Sequence, residues 1–209
     1  MKYDFVILTT ACSRSKLHSQ VLSEIPKFMS NYKCKWIISI DKLEEDPEIT
    51  EKNLYSILDS DNIDLEVVSS DRAAGRISWF KSVKWCINEG FKYKPRIGYF
   101  WLEDDWKLNT TEKLSIEDLG NGTYISLANR NELNFNPSIW SNDLFEKYMY
   151  KKINDEVMPD NGGNAERACC FKGDRPEATF GINIRVLNLF NDAGRDWAST
   201  NINGKRTFH

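Results

Sequence analysis

The chain reads as one α/β domain: an open, mainly parallel sheet flanked by helices, with a mixed second half. Three observations predict this. Short apolar runs alternate with amphipathic stretches through the first half, the pattern of strands joined by crossover helices. Charged residues stand where those runs end. No repeat, low-complexity tract or Pro/Gly/Ser-rich linker divides the 209 residues, a length suited to one large domain.

Phe5–Leu8 is the first expected strand, ending in the polar loop Thr9-Thr10-Ala11-Cys12-Ser13-Arg14. Leu17, Val21, Ile25 and Phe28 then recur at helical spacing, with Pro26 expected to kink or divide the helix. Trp36–Ile40 is a second strand, with Asp41 at its carboxyl end. A helix is expected around Glu48–Leu58 and a third strand over Leu65–Val68. From Asp71 onward, Ile77, Phe80, Val83 and Ile87 mark a further helix, with Gly90 as its stop. Ile97–Leu102 is the fourth strand and runs straight into Glu103-Asp104-Asp105. Tyr124–Leu127 and Phe135–Trp140 read as strands, Ser141 or Asn142 as the cap of a helix reaching Lys152. A short helix from Asn164 and strand character around Ile182–Val186 complete the chain.

A net charge of −3 implies no general attraction to nucleic acid or to an anionic membrane. The apolar run Phe5–Leu8 is too short for a signal-peptide core, and no run is long enough to span a bilayer, so a cytoplasmic protein is expected. The five cysteines, Cys12, Cys34, Cys86, Cys169 and Cys170, lack paired metal-ligand spacing and read as reduced core thiols.

In open parallel sheets ligands bind outside the carboxyl ends of the strands. The Ser13-Arg14 loop, Asp41 and Glu103-Asp104-Asp105 all fall there. Two carboxylates converging in a partly dry cleft repel unless a cation lies between them, and strand alternation would place Glu103 and Asp105 on one side. A carboxylate such as Asp41 can accept hydrogen bonds from a nucleobase or ribose. Asp71-Arg72-Ala73-Ala74-Gly75-Arg76 opens a helix, whose N-terminus suits phosphate, with Gly75 permitting close approach. No Walker or GxGxxG pattern is present, which disfavours an ATPase or dinucleotide oxidoreductase. Near the end, Arg195, Lys205 and Arg206 offer charge for a diphosphate leaving group, and His209 offers an imidazole. Each feature also has a plain structural reading: a solvated acidic turn, a capping aspartate, an ordinary helix start, a frayed tail.

Taken in order, Leu8-Thr9-Thr10, Ile40-Asp41, Gly75 and Leu102-Glu103-Asp104-Asp105 make the chain resemble the GT-A glycosyltransferases, especially small family-2-like enzymes. The resemblance covers mainly residues 3–107. It implies a single domain with a nucleotide-sugar-binding half, residues 1–107, and an acceptor-binding C-terminal half, residues 108–209. It implies a metal-dependent hexosyltransferase-like enzyme using Mn²⁺ or Mg²⁺, a UDP- or GDP-sugar donor, and a glycan or small-molecule acceptor.

By this resemblance Thr9, Thr10, Arg14, Asp41, Arg72, Gly75, Arg76, Asp104 and Arg195 contact the nucleotide-sugar. Glu103, Asp105 and His209 hold the metal; Glu103 stands where Asp is usual, leaving open whether it or Asp104 partners Asp105. An inverting course needs a carboxylate base, for which Glu166 is preferred and Asp160 is second, with Asp155 and Glu156 as neighbours. The alternatives are a nucleotidyltransferase making an activated sugar, disfavoured because Thr9–Lys16 has no glycine, or a non-catalytic nucleotide- or sugar-binding module.

Overall fold

Strand β1, Phe5–Cys12, is an interior strand of the sheet, and its first four residues are apolar on both faces. Phe5 and Ile7 pack into one face, Val6 and Leu8 into the other, as the two-residue period of a strand requires. A computed structural model describes residues 2–129, 133–155 and 182–194. Parallel strands β2, Cys34–Lys42, and β3, Ile63–Ala73, extend the sheet on one side of β1, and β4, Gly98–Trp101, on the other.

Helices α1, Ser15–Val21, α2, Ile25–Phe28, and α3, Pro47–Ile57, cover the Phe5 and Ile7 face. Pro26 divides α1 from α2 by standing in the first turn of α2, where its missing N–H is harmless. Asp46 caps α3 by accepting from the Glu48 amide. Helix α4, Arg76–Phe91, covers the Val6 and Leu8 face through Phe80, Val83, Cys86 and Ile87.

Beyond β4 the sheet becomes mixed. Strand β5, Trp106–Leu108, leaves it, while β6, Thr123–Ser126, and β7, Ser138–Trp140, return to it. Helix α5, Asn142–Leu144, runs into a π-helical stretch, Phe145–Lys151, and then α6, Lys152–Asp155. Strands β8, Asn183–Val186, and β9, Phe190–Asp192, follow. The seven-stranded order is β3-β2-β1-β4-β7-β6-β8, with β7 antiparallel to both neighbours and β8 parallel to β6. A separate antiparallel ribbon joins β5 to β9.

Three local expectations are corrected. Thr9–Cys12 is strand rather than loop, because it pairs in register with Ile38–Asp41. Asp71–Ala73 ends β3, and α4 starts only at Arg76 with Gly75 before it. Gly90 is not a helix stop: α4 continues to Phe91, and a Cβ at Gly90 would lie 2.6 Å from Leu8 Cδ2, so the glycine permits close packing. No described helix is long and apolar enough to cross a membrane.

Candidate functional site

The in-register pairing of β1 with β2 sets Cys12 beside Asp41 at the carboxyl edge. Leu102 extends the β1–β4 pairing by donating its amide to the Leu8 carbonyl, and the chain then turns through Glu103, Asp104 and Asp105. The strand therefore ends before the triplet, and alternation does not sort its carboxylates. Glu103 accepts from Trp106 Nε1 at 3.3 Å, while both aspartates face Arg14.

Asp104 lies deepest. It accepts from the Cys12 amide at 3.0 Å, from Arg14 Nε at 3.1 Å and Nη2 at 2.7 Å, and lies 2.7 Å from Nε2 of His18. Burial alone would raise its carboxyl pKa, but Arg14 and His18 outweigh that and hold it below the usual carboxylate range. Burial likewise opposes the charge on Arg14, and Asp104 with Asp105 more than restores it. Cys12 beside them is a neutral thiol at pH 7, since burial and the Asp104 charge both push it up.

Asp105 is the shallower carboxylate, 3.8 Å from Arg14 Nη2. Its backbone carbonyl accepts from the amides of Ala193 and Gly194, so the C-terminal segment crosses directly over the acidic turn. A Cβ at Gly194 would fall onto Asp105 Oδ2 and 2.8 Å from its Cβ, so only glycine allows that crossing.

A second charged centre lies at the end of β2. Asp41 accepts from Ser82 of α4 at 2.9 Å and from Arg72 at 3.2 and 3.3 Å. Thr10 is buried in β1 opposite Ser39, and the Thr9 hydroxyl accepts from Trp36 Nε1, so Thr9 is enclosed in the core. A Cβ on Gly75 would meet nothing within 4 Å, so the start of α4 is open, with Arg76 exposed beside it. Asp160, Glu166, Arg195 and His209 lie outside the described residues, as do Glu156, Lys205, Arg206, Cys169 and Cys170.

No protein-family model and no curated protein matches the chain. Solved structures do match. The mannosyltransferase PcManGT from Pyrobaculum calidifontis, in complex with GDP-Man and Mn²⁺, aligns over 89% of this chain with TM-score 0.52 and 10% identity. S. aureus TarS aligns over 94% with TM-score 0.54, and its 1–349 form over 94% with TM-score 0.50, both at 14% identity. The chain has a GT-A-type fold. It spans 55%, 38% and 62% of those three structures, about half their length.

In this GT-A-type fold the carboxyl edge brings together Arg14, Asp41, Arg72, Asp104 and Asp105. His18 joins them; its one sequence signal is a histidine four residues after Arg14, between the apolar Leu17 and Val21. Ser82 and Ser39, which support Asp41, gave no signal beyond small polar residues within apolar segments.

Among the described residues no group of three or more His, Cys, Asp or Glu side chains is placed to hold a metal ion. Asp104 is committed to Arg14, His18 and a backbone amide. Asp105 is the shallower carboxylate of the pair and also lies within 3.8 Å of Arg14 Nη2. That supply suits a hard divalent ion held by one or two carboxylates and completed by phosphate oxygens, not an all-protein cage.

Proposed function

We propose that the chain is a glycosyltransferase that uses a nucleoside-diphosphate sugar. The observation that carries this reading is the meeting of Asp41 and the acidic turn at one carboxyl edge of a GT-A-type sheet. A structure of the same fold in complex with GDP-Man and Mn²⁺ supports it.

In this reading Asp41 and Arg72 face the base or ribose, and the open start of α4, with Gly75 and Arg76, faces the diphosphate. Asp105, with Glu103 and His209, is the proposed ligand set for Mn²⁺ or Mg²⁺. Such an ion would offset charge on the departing nucleotide. Arg14 and Asp104 act from beneath by fixing the turn that presents Asp105, and Arg195 adds positive charge at the diphosphate. Glu166, or Asp160, takes the proton from the acceptor hydroxyl in an inverting course. The hydroxyl oxygen bonds to the anomeric carbon as the bond from that carbon to the diphosphate oxygen breaks, and the nucleotide leaves with the electron pair. The acceptor is a glycan or small molecule bound by the C-terminal half, and the free thiols of Cys34 and Cys86 suit a reducing cytoplasm.

Calorimetric titration of UDP and GDP, with and without Mn²⁺, on wild type and Asp105→Asn tests the reading. Metal-dependent nucleotide binding that the substitution removes is the expected result. Equal affinity under every condition for both nucleotides would sink it.

A further inference from the structure

We infer that the outer face of α4 carries a binding groove for a carboxylate-bearing glycan, built on Trp85 with Lys81 and Lys84. As an acceptor surface this groove rests on the glycosyltransferase reading, and it goes beyond that reading by giving the acceptor a chemical class.

The groove has a volume of about 360 Å³ and is lined by Phe80, Lys81, Lys84, Trp85 and Asn88. Helical spacing produces it: Phe80, Lys84 and Asn88 follow one i, i+4 row, and Lys81 and Trp85 follow the next. Phe80 is buried and forms the floor, Lys84 and Trp85 are half-buried, and Lys81 is exposed. At one end Asn88 exchanges amide hydrogen bonds with Asn154 of α6, at 3.2 and 2.7 Å, which fixes that wall.

The polar groups of this groove are free to meet a ligand. Among the described residues no carboxylate pairs with Lys81 or Lys84. Two ammonium groups one helical turn apart repel each other, and no acid offsets them. Trp85 packs against the core on one side, yet its ring meets no other aromatic and its indole N–H has no hydrogen-bond partner.

A half-buried indole beside two unneutralised cations selects a ligand. The apolar C–H face of a pyranose stacks on an indole, and the ammonium groups attract an anion at the edge of the sugar. The volume is at the low end for ligand pockets, so the stacking face and the anion must belong to one sugar residue. A hexuronate meets that condition, because its carboxylate is attached to the ring itself. A phosphodiester lies between residues and does not.

With a rise of about 1.5 Å per residue, the groove begins about 8 Å from Gly75 and ends about 20 Å from it. A chain with its terminal residue at the carboxyl edge can therefore lay an internal uronate against Trp85.

The test is native electrophoresis through gels containing polygalacturonate, with amylose as the neutral glycan and dextran sulfate as a plain polyanion. Wild type is compared with Lys81→Gln/Lys84→Gln, with Trp85→Leu, and with Lys27→Gln/Lys113→Gln, which makes the same charge change away from the groove. Thermal melts confirm each fold, and calorimetry follows UDP and GDP binding with Mn²⁺. Polygalacturonate should retard wild type and amylose should not, although a net charge of −3 opposes contact with a polyanion. Lys81→Gln/Lys84→Gln and Trp85→Leu should each weaken that affinity about fivefold or more, with nucleotide binding unchanged. Lys27→Gln/Lys113→Gln should behave as wild type. Should Trp85→Leu not fold, the lysine pair alone decides. Absence of retardation, retardation that survives either change in the groove, or equal retardation by dextran sulfate each overturns the inference and leaves the donor reading intact. Failure of wild type to bind either nucleotide overturns the donor reading and, with it, the acceptor role of the groove.

Discussion

The Asp104 carboxylate lies 2.7 Å from Nε2 of His18, and neither side chain is open to solvent. Replacing His18 by Leu removes one of the groups that satisfy a buried anion, and the Arg14 and Cys12 bonds remain. The expected loss in urea denaturation is about 2 kcal/mol. Unchanged stability would show that Arg14 alone suffices.

The same anion gives an acid limb. Burial pushes the Asp104 carboxyl up, but Arg14 and His18 hold it below its ordinary value of 3.8 in the folded chain. The unfolded chain therefore protonates first. The stability from this group is fully present above about pH 4 and is lost as pH falls toward the folded value. In denaturation curves recorded from pH 7 to pH 2, Asp104→Asn should be less stable at neutral pH and show a flatter acid limb. A parallel curve for the variant would contradict the assignment.

Gly194→Ala would press a methyl group into the Asp105 side chain. The carboxylate can rotate, but the Asp105 Cβ, 2.8 Å from the added methyl, is fixed by its backbone, so the cost in stability should be about 2–3 kcal/mol. The larger effect should fall on Mn²⁺-dependent UDP binding, read by calorimetry. Normal binding in a folded variant would remove the orientation of Asp105 from the site.

Gly98→Ala makes a contrasting case. Its new Cβ would run into the Trp140 carbonyl oxygen, which is backbone held in β7 and cannot rotate away. A loss of about 3 kcal/mol is expected by thermal or urea denaturation. A loss under about 0.5 kcal/mol would mean that β4 and β7 separate easily.

For Glu166→Gln the expected outcome is retained UDP binding with sugar transfer lost, since an amide of the same shape cannot take a proton. Near-normal turnover would move the role to Asp160 or point to a retaining course.

Strands β1, β2, β3 and β4 were legible because strands buried on both faces leave long apolar runs that nothing else in the chain imitates. Their full lengths were not. Thr9–Cys12 looks polar in sequence, and only the Trp36 indole that satisfies Thr9 and the sheet pairing with Ile38–Asp41 explain its place in a strand. The charged residues at the carboxyl edge were legible for a topological reason, since parallel strands all end on one side. What each carboxylate does was not, because the partners of Asp104 come from the end of β1, from Arg14 just before α1 and from α1 itself, and those of Asp41 from β3 and α4. The β5–β9 ribbon left no trace at all: two three-residue strands far apart in sequence carry no periodicity of their own.

That ribbon makes the stretch between Leu108 and Phe190 an excursion that leaves from and returns to one point beside the acidic turn. The closure entropy of such an excursion grows only logarithmically with its length. Residues could thus be added to or removed from the irregular segment 109–122 while the ribbon still held its ends together and Asp105 kept its place. A scaffold of this kind can exchange what it recognises in one region without retuning the turn in another.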